Sequence, residues 1–506
     1  MTLRTRRSPA RSRTSRLYAA LLIGAVGAPL LAQQDASWTD PAPPDVAELP
    51  DVAPPQPRDY DGWRPGTAPK PLAADAVTED WPGFLGPRRD GRSRETRLHK
   101  SWGEAGPPLV WSMERGEGYA SPAVVGDRVV YPHRVGNKML VDCLEADTGR
   151  RLWRYRDPTD YRGDYIRDSG PRATPMIDDG LVYVHGVEGR LHCLELATGR
   201  RVWRRDLAAE FELADEFFGV VSSPLVFGDL LIVNLGVRGG PSVIALDKKR
   251  GRIVWGGGDK WGASCASPVV AKVHGEPWLF VLGGGKSRPP TGGLMALDPK
   301  TGAVHFEYPF RSRTYESVIG SSPLLVGEER LLVTASYNTG TAMLGLNADK
   351  SFAEQWKSRR FGLEFATPLF VDGHLYAIQG VRERAGAVVC LDPADGNELA
   401  RTDIDWEETV TFRGEPRTQG FSVGNGCLVW ADGAFLCLGD YGHLLWLECT
   451  PKGAKVLART ALFHATESWT PPVISRGLLY VCQNQRERFG DAPRRLLCYD
   501  LRAAGE

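Results

Sequence analysis

A Ser/Thr-Pro pair returns along this chain about every 50 residues, and that recurrence restricts the fold more than any other feature. It opens units at Ser121-Pro122, Thr174-Pro175, Ser223-Pro224, Ser267-Pro268, Ser322-Pro323, Thr367-Pro368 and Thr470-Pro471, with a degenerate copy near Gly420. Each unit passes through two β-rich stretches into a glycine turn and then a large ring. "EADTGRRLW" ends at Trp153, "ELATGRRVW" at Trp203 and "LDKKRGRIVW" at Trp255, and fainter copies close at Phe306, at Trp356 and near Leu399. Earlier in the units, "AVVGDRVVYPH", "MIDDGLVYVHG" and "LFVDGHLYAIQG" set Gly-Asp or Asp-Gly between β-branched and aromatic runs. That is a hairpin signal. The ring follows the glycine of the second turn at a constant even offset in Gly149/Trp153, Gly199/Trp203, Gly251/Trp255 and Gly302/Phe306. An even offset holds the ring on one face of the outer strand.

A unit of four short strands in about 50 residues is a propeller blade. The ends of the chain supply the count. The last unit stops without a ring-bearing strand, and a spare one, "PPLVWSM" with Trp111, precedes the first unit. The expected fold is therefore all-β. It is an eight-bladed β-propeller of four-stranded antiparallel blades over residues 80–506, closed by the N-terminal strand. Seven blades is the alternative, because the seventh unit is weak. Trp111, Trp153, Trp203, Trp255, Phe306 and Trp356 are expected to dock one blade on the next. Truncating such a buried ring costs roughly 3–5 kcal/mol.

The nine cysteines fit the same repeat. Cys143, Cys193, Cys390 and Cys498 share one slot, which Ala245 and Ala296 fill elsewhere. A slot shared by Cys and Ala is a small buried apolar site. Bridges between Cys427 and Cys437, or Cys449 and Cys482, stay open.

Residues 1–32 carry six arginines, no acid and the apolar run "LYAALLIGAVGAPLLA". They read as a signal peptide, with an uncleaved anchor as the alternative. Residues 33–79, with ten prolines, read as a disordered Pro-rich linker. Beyond residue 32 the chain holds 56 basic residues against 62 acidic ones. That balance excludes a basic field for nucleic acid. The expectation is an exported monomer, periplasmic or extracellular, with no membrane span after cleavage.

The pattern Ser-Pro…Gly-Asp…Val-Tyr…Leu-Asp…Thr-Gly…Trp resembles the pyrroloquinoline-quinone-type repeat with its tryptophan docking motif, over nearly all of residues 105–500. "WPGFLGPRRDGRS" followed by "GPPLVW" is similar to the start of exported bacterial propellers of that kind. The resemblance implies two kinds of relative. Quinoprotein alcohol dehydrogenases hold the quinone and a calcium ion on the propeller axis. A propeller lipoprotein of the outer-membrane assembly machine is not an enzyme. The adjacent cysteines that cover the quinone in the dehydrogenases have no counterpart here, and neither does a Cys-x-x-Cys-His haem site. Trp261 is the ring offered for stacking, and Asp168, Glu316 and Glu364 are the oxygen ligands offered to calcium. None of them matches a motif position of the family. The reading that follows is a non-catalytic binding or protein-interaction scaffold with no catalytic residue and no cofactor. The alternative is a divergent dehydrogenase using the quinone and calcium.

The nine histidines, among them His133, His185 and His374, show no zinc spacing, and no metal site is expected. In a propeller the loops entering the first strands form one mouth. Here those loops place Tyr119, Arg172, Phe218, Trp261, Glu316, Glu364, Gln419 and Trp469 near the repeated pair. They are the candidate residues for a protein, small-molecule or glycan ligand. The stretch "DWPGFLGPRRDGRS", residues 80–93, reads as a strap fastening the start of the domain.

Overall fold

The computed structural model describes residues 40–47, 52–163, 168–213, 216–237, 239–381 and 385–503. The signal-peptide reading lies outside them. Eight antiparallel sheets follow one another around an axis. In blade 1 the strands are Ala123–Val125, Arg128–Val135, Lys138–Glu145 and Arg151–Pro158, from the axis outwards. Blades 2 to 7 occupy 176–206, 225–257, 269–309, 324–358, 369–403 and 427–461. Blade 8 takes Val473–Ser475, Leu478–Cys482 and Arg495–Asp500 from the C-terminus and Leu109–Glu114 from the N-terminus. Trp111 thus lies opposite Cys498, and the ring closes as the sequence predicts, with eight blades. The one described helix is a single turn, Leu207–Glu210.

The repeat explains how the blades adhere. On each third strand a small residue faces the ring of the fourth: Cys143 faces Trp153, Cys193 faces Trp203, Ala245 faces Trp255 and Ala296 faces Phe306. A β-bulge follows directly in every case, twisting the outer strand. The indole then reaches the next blade. Trp111, Trp153, Trp203 and Trp356 donate their Nε1–H to the carbonyls of Ala146, Leu196, Lys248 and Pro393, at 2.8–3.1 Å. Beneath each ring lies a turn glycine of that next blade. A Cβ on Gly149 or Gly199 would sit 2.4 Å from Trp111 or Trp153. Phe306 has no N–H and packs instead on Phe352, ring centroids 4.6 Å apart. Neighbouring blades share separate buried clusters, so the core is a ring of seams rather than one central mass. The nine cysteines are all free.

The Ser/Thr-Pro pairs form a second ring close to the axis. The backbone N–H of Ser121 donates to Thr174 Oγ1 at 3.2 Å. Thr174 N–H donates in turn to Ser223 Oγ at 2.9 Å, and Ser223 N–H to Ser267 Oγ at 3.0 Å. Ser267 N–H reaches Ser322 Oγ at 3.2 Å, and Ser322 N–H reaches Thr367 Oγ1 at 3.0 Å. The hydroxyl is needed as an acceptor, and the proline that follows brings no N–H needing a partner near the axis.

From the segment expected as a spacer, the described residues lie along outer edges of blades. Asp45–Val46 pairs with the outer strand of blade 2, and Trp63–Pro65 pairs with the closing strand of blade 8. Asp40 accepts from the buried guanidinium of Arg205 at 2.6 and 3.0 Å. An exposed outer strand offers a row of unpaired backbone groups, and even a polar, Pro-rich chain can pair with it.

The strap, residues 80–93, goes further than its sequence suggests. Trp81 exchanges two 2.8 Å backbone hydrogen bonds with Val124 of blade 1. Pro82 accepts from Ile177 of blade 2 at 2.8 Å. The buried Arg89 donates to Pro224 O of blade 3 and to Pro268 O of blade 4. Arg92 donates to Phe370 O of blade 6 at 3.2 Å, and Ser93 N–H donates to Trp430 O of blade 7 at 2.8 Å. Ser475 of blade 8 donates to Glu79 O at 2.9 Å. Residues 79–93 therefore cross the channel end opposite the mouth and fasten seven blades at once.

Two stability outcomes follow. Gly199 and Gly228 both have positive φ, 73° and 58°, but only a Cβ at Gly199 meets a docking indole. Gly199→Ala is expected to cost more than the ~1–3 kcal/mol of strained backbone alone, and Gly228→Ala no more than that, in urea melts. Equal losses would remove the indole–glycine contact from the account. Trp81 is 1% exposed, whereas Phe84 faces the channel. Trp81→Ala should cost about 3–5 kcal/mol and Phe84→Ala distinctly less.

Candidate functional site

The mouth is built from loops that blade packing leaves free. These are the loops between blades and those joining second to third strands. An axial cavity of about 140 Å³ opens there, walled by Ser223, Ser267 and Thr367 of the inner ring and by Cys427. Its floor is Phe84 and Leu85, the tip of the strap. Tyr119, Arg172, Phe218 and Trp469 line it, so four of the expected mouth residues do converge. Trp469 lies between two rings, stacked on Tyr119 at 5.8 Å and on Phe365 at 5.0 Å between centroids. Tyr119 donates its hydroxyl to Glu467 at 2.6 Å. Arg172 donates to Asp168 O at 2.8 Å and Gly170 O at 2.9 Å, which fixes it as a loop brace.

The other four lie elsewhere. Trp261 is buried in the seam between blades 3 and 4, its ring 2.7 Å from where a Cβ on Gly293 would be and 3.4 Å from where one on Gly283 would be. It is held there because the two glycines leave a ring-sized slot. Glu316 is exposed. Glu364 accepts from Tyr337 at 2.7 Å and is not among the cavity walls. Gln419 stands on a hairpin strand, Glu415–Ser422, opposite Glu408, rather than in a loop before an inner strand.

These positions bear on the quinone and calcium of the dehydrogenases. Both faces of Trp469 are covered by the protein's own rings, and Trp261 offers no free face. The cation beside the cavity, Arg172, is engaged with backbone carbonyls, which leaves little to hold a polyanionic quinone. Asp168 accepts from Gly118 N–H at 3.1 Å, Gly170 N–H at 3.0 Å and Arg494 at 3.2 Å. Among the described residues, Asp168, Glu316 and Glu364 do not come together as a ligand set. The residues present on the axis do not fit that pair of groups.

A larger cavity, about 450 Å³, adjoins the axial one over blades 2 to 5 and shares Phe218, Val221 and Cys265 with it. Tyr161, Phe217 and Phe218 supply flat walls. His185, Ser222 and Asn234 line it too and are 1%, 3% and 4% exposed. His185 has the Gly189 backbone nearby, yet neither ring nitrogen makes a well-formed hydrogen bond. Ser222 Oγ also lacks a partner. Asn234 uses its amide N–H on Leu282 O at 3.1 Å, and its Oδ1 has no partner. Burial, aided by nearby His192, drives the His185 pKa down to about 3, so the ring is neutral at pH 7. Burial pushes the Cys265 thiol up to about 12, which makes it inert. The carboxylates Asp160, Glu188 and Glu216 outnumber Arg162 around the cavity.

Sequence reasoning read His185 as a structural histidine and passed over Ser222 and Asn234. His185 and Asn234 take equivalent places, two residues beyond Tyr183 and Ile232, which pair with Met176 and Leu225 on the inner strands. The available signal was a polar residue closing an apolar second strand, in "LVYVH" and "LLIVN".

The family model described as outer membrane protein assembly factor BamB matches residues 137–287 and 256–503. No curated protein matches the sequence. Among solved structures, the quinohemoprotein alcohol dehydrogenase from Comamonas testosteroni superposes with a TM-score of 0.59 at 15% identity, covering 86% of this chain and 82% of that one. A europium-containing methanol dehydrogenase gives 0.56 at 13% identity, covering 83% and 98%. BamB from Moraxella catarrhalis gives 0.50 at 17% identity, covering 79% and 98%. At such identities the structures attest the fold alone. No helix among the described residues is long and apolar enough to cross a membrane. With the family model spanning most of the chain and eight blades carrying its docking rings, the chain belongs to the PQQ-type β-propeller family described as outer membrane protein assembly factor BamB.

Proposed function

We propose that this chain is an exported, monomeric, non-catalytic binding propeller whose mouth cavity takes the hydroxyl-rich part of a small molecule or glycan. The observation that carries the reading is Ser222 Oγ and Asn234 Oδ1, buried without a hydrogen-bond partner beside one cavity that the neutral His185 ring, with only the Gly189 backbone near it, also lines. Each buried polar atom without a partner costs about 1–3 kcal/mol. A ligand hydroxyl, which both donates and accepts, satisfies a neutral imidazole, a serine and an amide oxygen alike. Tyr161, Phe217 and Phe218 add aromatic surface to the wall, with the Arg172 guanidinium over the Tyr161 ring and the Lys286 ammonium over the Phe217 ring. The family's description as an assembly factor supports a protein-bound or envelope setting for such binding. The dehydrogenase alternative has less support, since the axial residues do not fit its groups.

Calorimetric titration of the whole protein with neutral mono- and oligosaccharides tests the proposal. At least one is expected to bind, and Ser222→Ala is expected to weaken it roughly 2–10-fold, the loss of one hydrogen bond. Failure of all neutral sugars would overturn the reading. Bound chromophore and dye-linked alcohol oxidation with added quinone and calcium would replace it with the dehydrogenase.

A further inference from the structure

Between blades 6 and 7 a hairpin, Asp405–Phe412 and Glu415–Ser422, interrupts the repeat on the mouth face, beyond the cavity just described. Its Glu408 meets His443, which begins the third strand of blade 7, and His464, in the loop from blade 7 to blade 8. His443 Nε2 is 3.0 Å from Glu408 Oε2, and His464 Nε2 is 2.9 Å from Glu408 Oε1. One ligand atom from each residue falls within 4.8 Å of the other two. Tetrahedral zinc, with bonds of about 2.0–2.1 Å, sets its ligand atoms about 3.4 Å apart. Side-chain adjustment of an ångström or so closes that difference.

We propose that Glu408, His443 and His464 bind one divalent transition-metal ion of the zinc class, leaving a fourth position for water or an incoming ligand. Two imidazoles and a carboxylate suit zinc-like ions better than calcium or magnesium, which prefer all-oxygen sets. The surroundings are those of a metal centre. Glu487 accepts from the His464 backbone N–H at 2.8 Å, and its Oε1 lies 3.7 Å from His464 Nδ1. A carboxylate behind the ring orients a metal-binding imidazole and raises its basicity. The rings of Trp406 and Phe421 are centred 4.7 Å from His443, and Phe489 is centred 5.4 Å from His464, forming an apolar shell. His443 is buried, while Glu408 and His464 are half-buried, so one side is open. The ligands come from three segments, 35 and 56 residues from Glu408, which is why no short spacing betrays them. The ion ties the insertion to blades 7 and 8, where the inner hydroxyl ring has a gap at Cys427.

Zinc titration of the chelator-stripped full chain, followed calorimetrically and by metal analysis after dialysis, tests this. One ion per chain is expected. Cobalt in its place should give the visible absorption of a tetrahedral site. His464→Gln and Glu408→Gln should weaken zinc by more than about 100-fold and abolish that absorption, and Glu487→Gln should weaken it about 10–100-fold. His374→Gln should leave binding unchanged, and circular dichroism of each variant separates lost metal from lost fold. The proposal is overturned if the wild-type chain retains no zinc. It is equally overturned if folded His464→Gln and Glu408→Gln bind zinc as the wild type does. Either result would make the trio a hydrogen-bonded carboxylate–imidazole cluster only.

Discussion

The structure depends on one contact, repeated at five of the seams by Trp111, Trp153, Trp203, Trp255 and Trp356: an indole laid on a glycine that has no Cβ. The glycine belongs to the turn of the next blade, so at these seams a blade is completed by its neighbour rather than by itself. Trp111 makes the contact across the closure, donating to Ala146 and lying over Gly149. The N-terminal strand is thus the last blade's share of the same seam. A blade cannot bury its hydrophobic faces alone, and seams of this kind join eight sheets into one body. The strap adds a second restraint by tying the inner strands of blades across the channel.

Most of the fold was legible because the seam writes itself into the sequence. A glycine must precede the ring at fixed spacing, and a small residue must face it, whether Cys143 or Ala245. Blade 7 hid because it solves the same packing problem with the partners exchanged. Its third strand carries Trp446 and its fourth strand Ala458, directly opposite and followed by the same bulge. The total volume is kept while the written pattern is lost. Cys427 and Leu428, two residues before Val429 and Trp430 of the inner strand, replace the Ser-Pro pair there. The hairpin inserted before them moved Gln419 out of the mouth.

The site was less legible, for a physical reason. The seams obey a repeat, whereas the mouth is built from what each loop adds to it. Aromatic and charged residues near the Ser/Thr-Pro pairs mark the mouth, and Tyr119, Phe218 and Trp469 do meet there. The same composition suits seam packing, and Trp261 is used that way. His185 and Asn234 looked like ordinary strand residues because their significance lies in partners they lack, which only three-dimensional packing reveals. Residues 80–93 likewise read as a fastening, yet Phe84 and Leu85 also floor the axial cavity. Structure and site meet in that segment: the piece that holds the blades together also closes the channel and confines any ligand to the mouth.

A crystal structure of the protein soaked in a neutral oligosaccharide tests the central claim most directly. The account predicts a sugar ring against Phe217 and Phe218 with hydroxyls on His185, Ser222 and Asn234, and Trp469 still stacked between Tyr119 and Phe365. A cavity holding only water, together with quinone seated on the axis and that stack displaced, would contradict it.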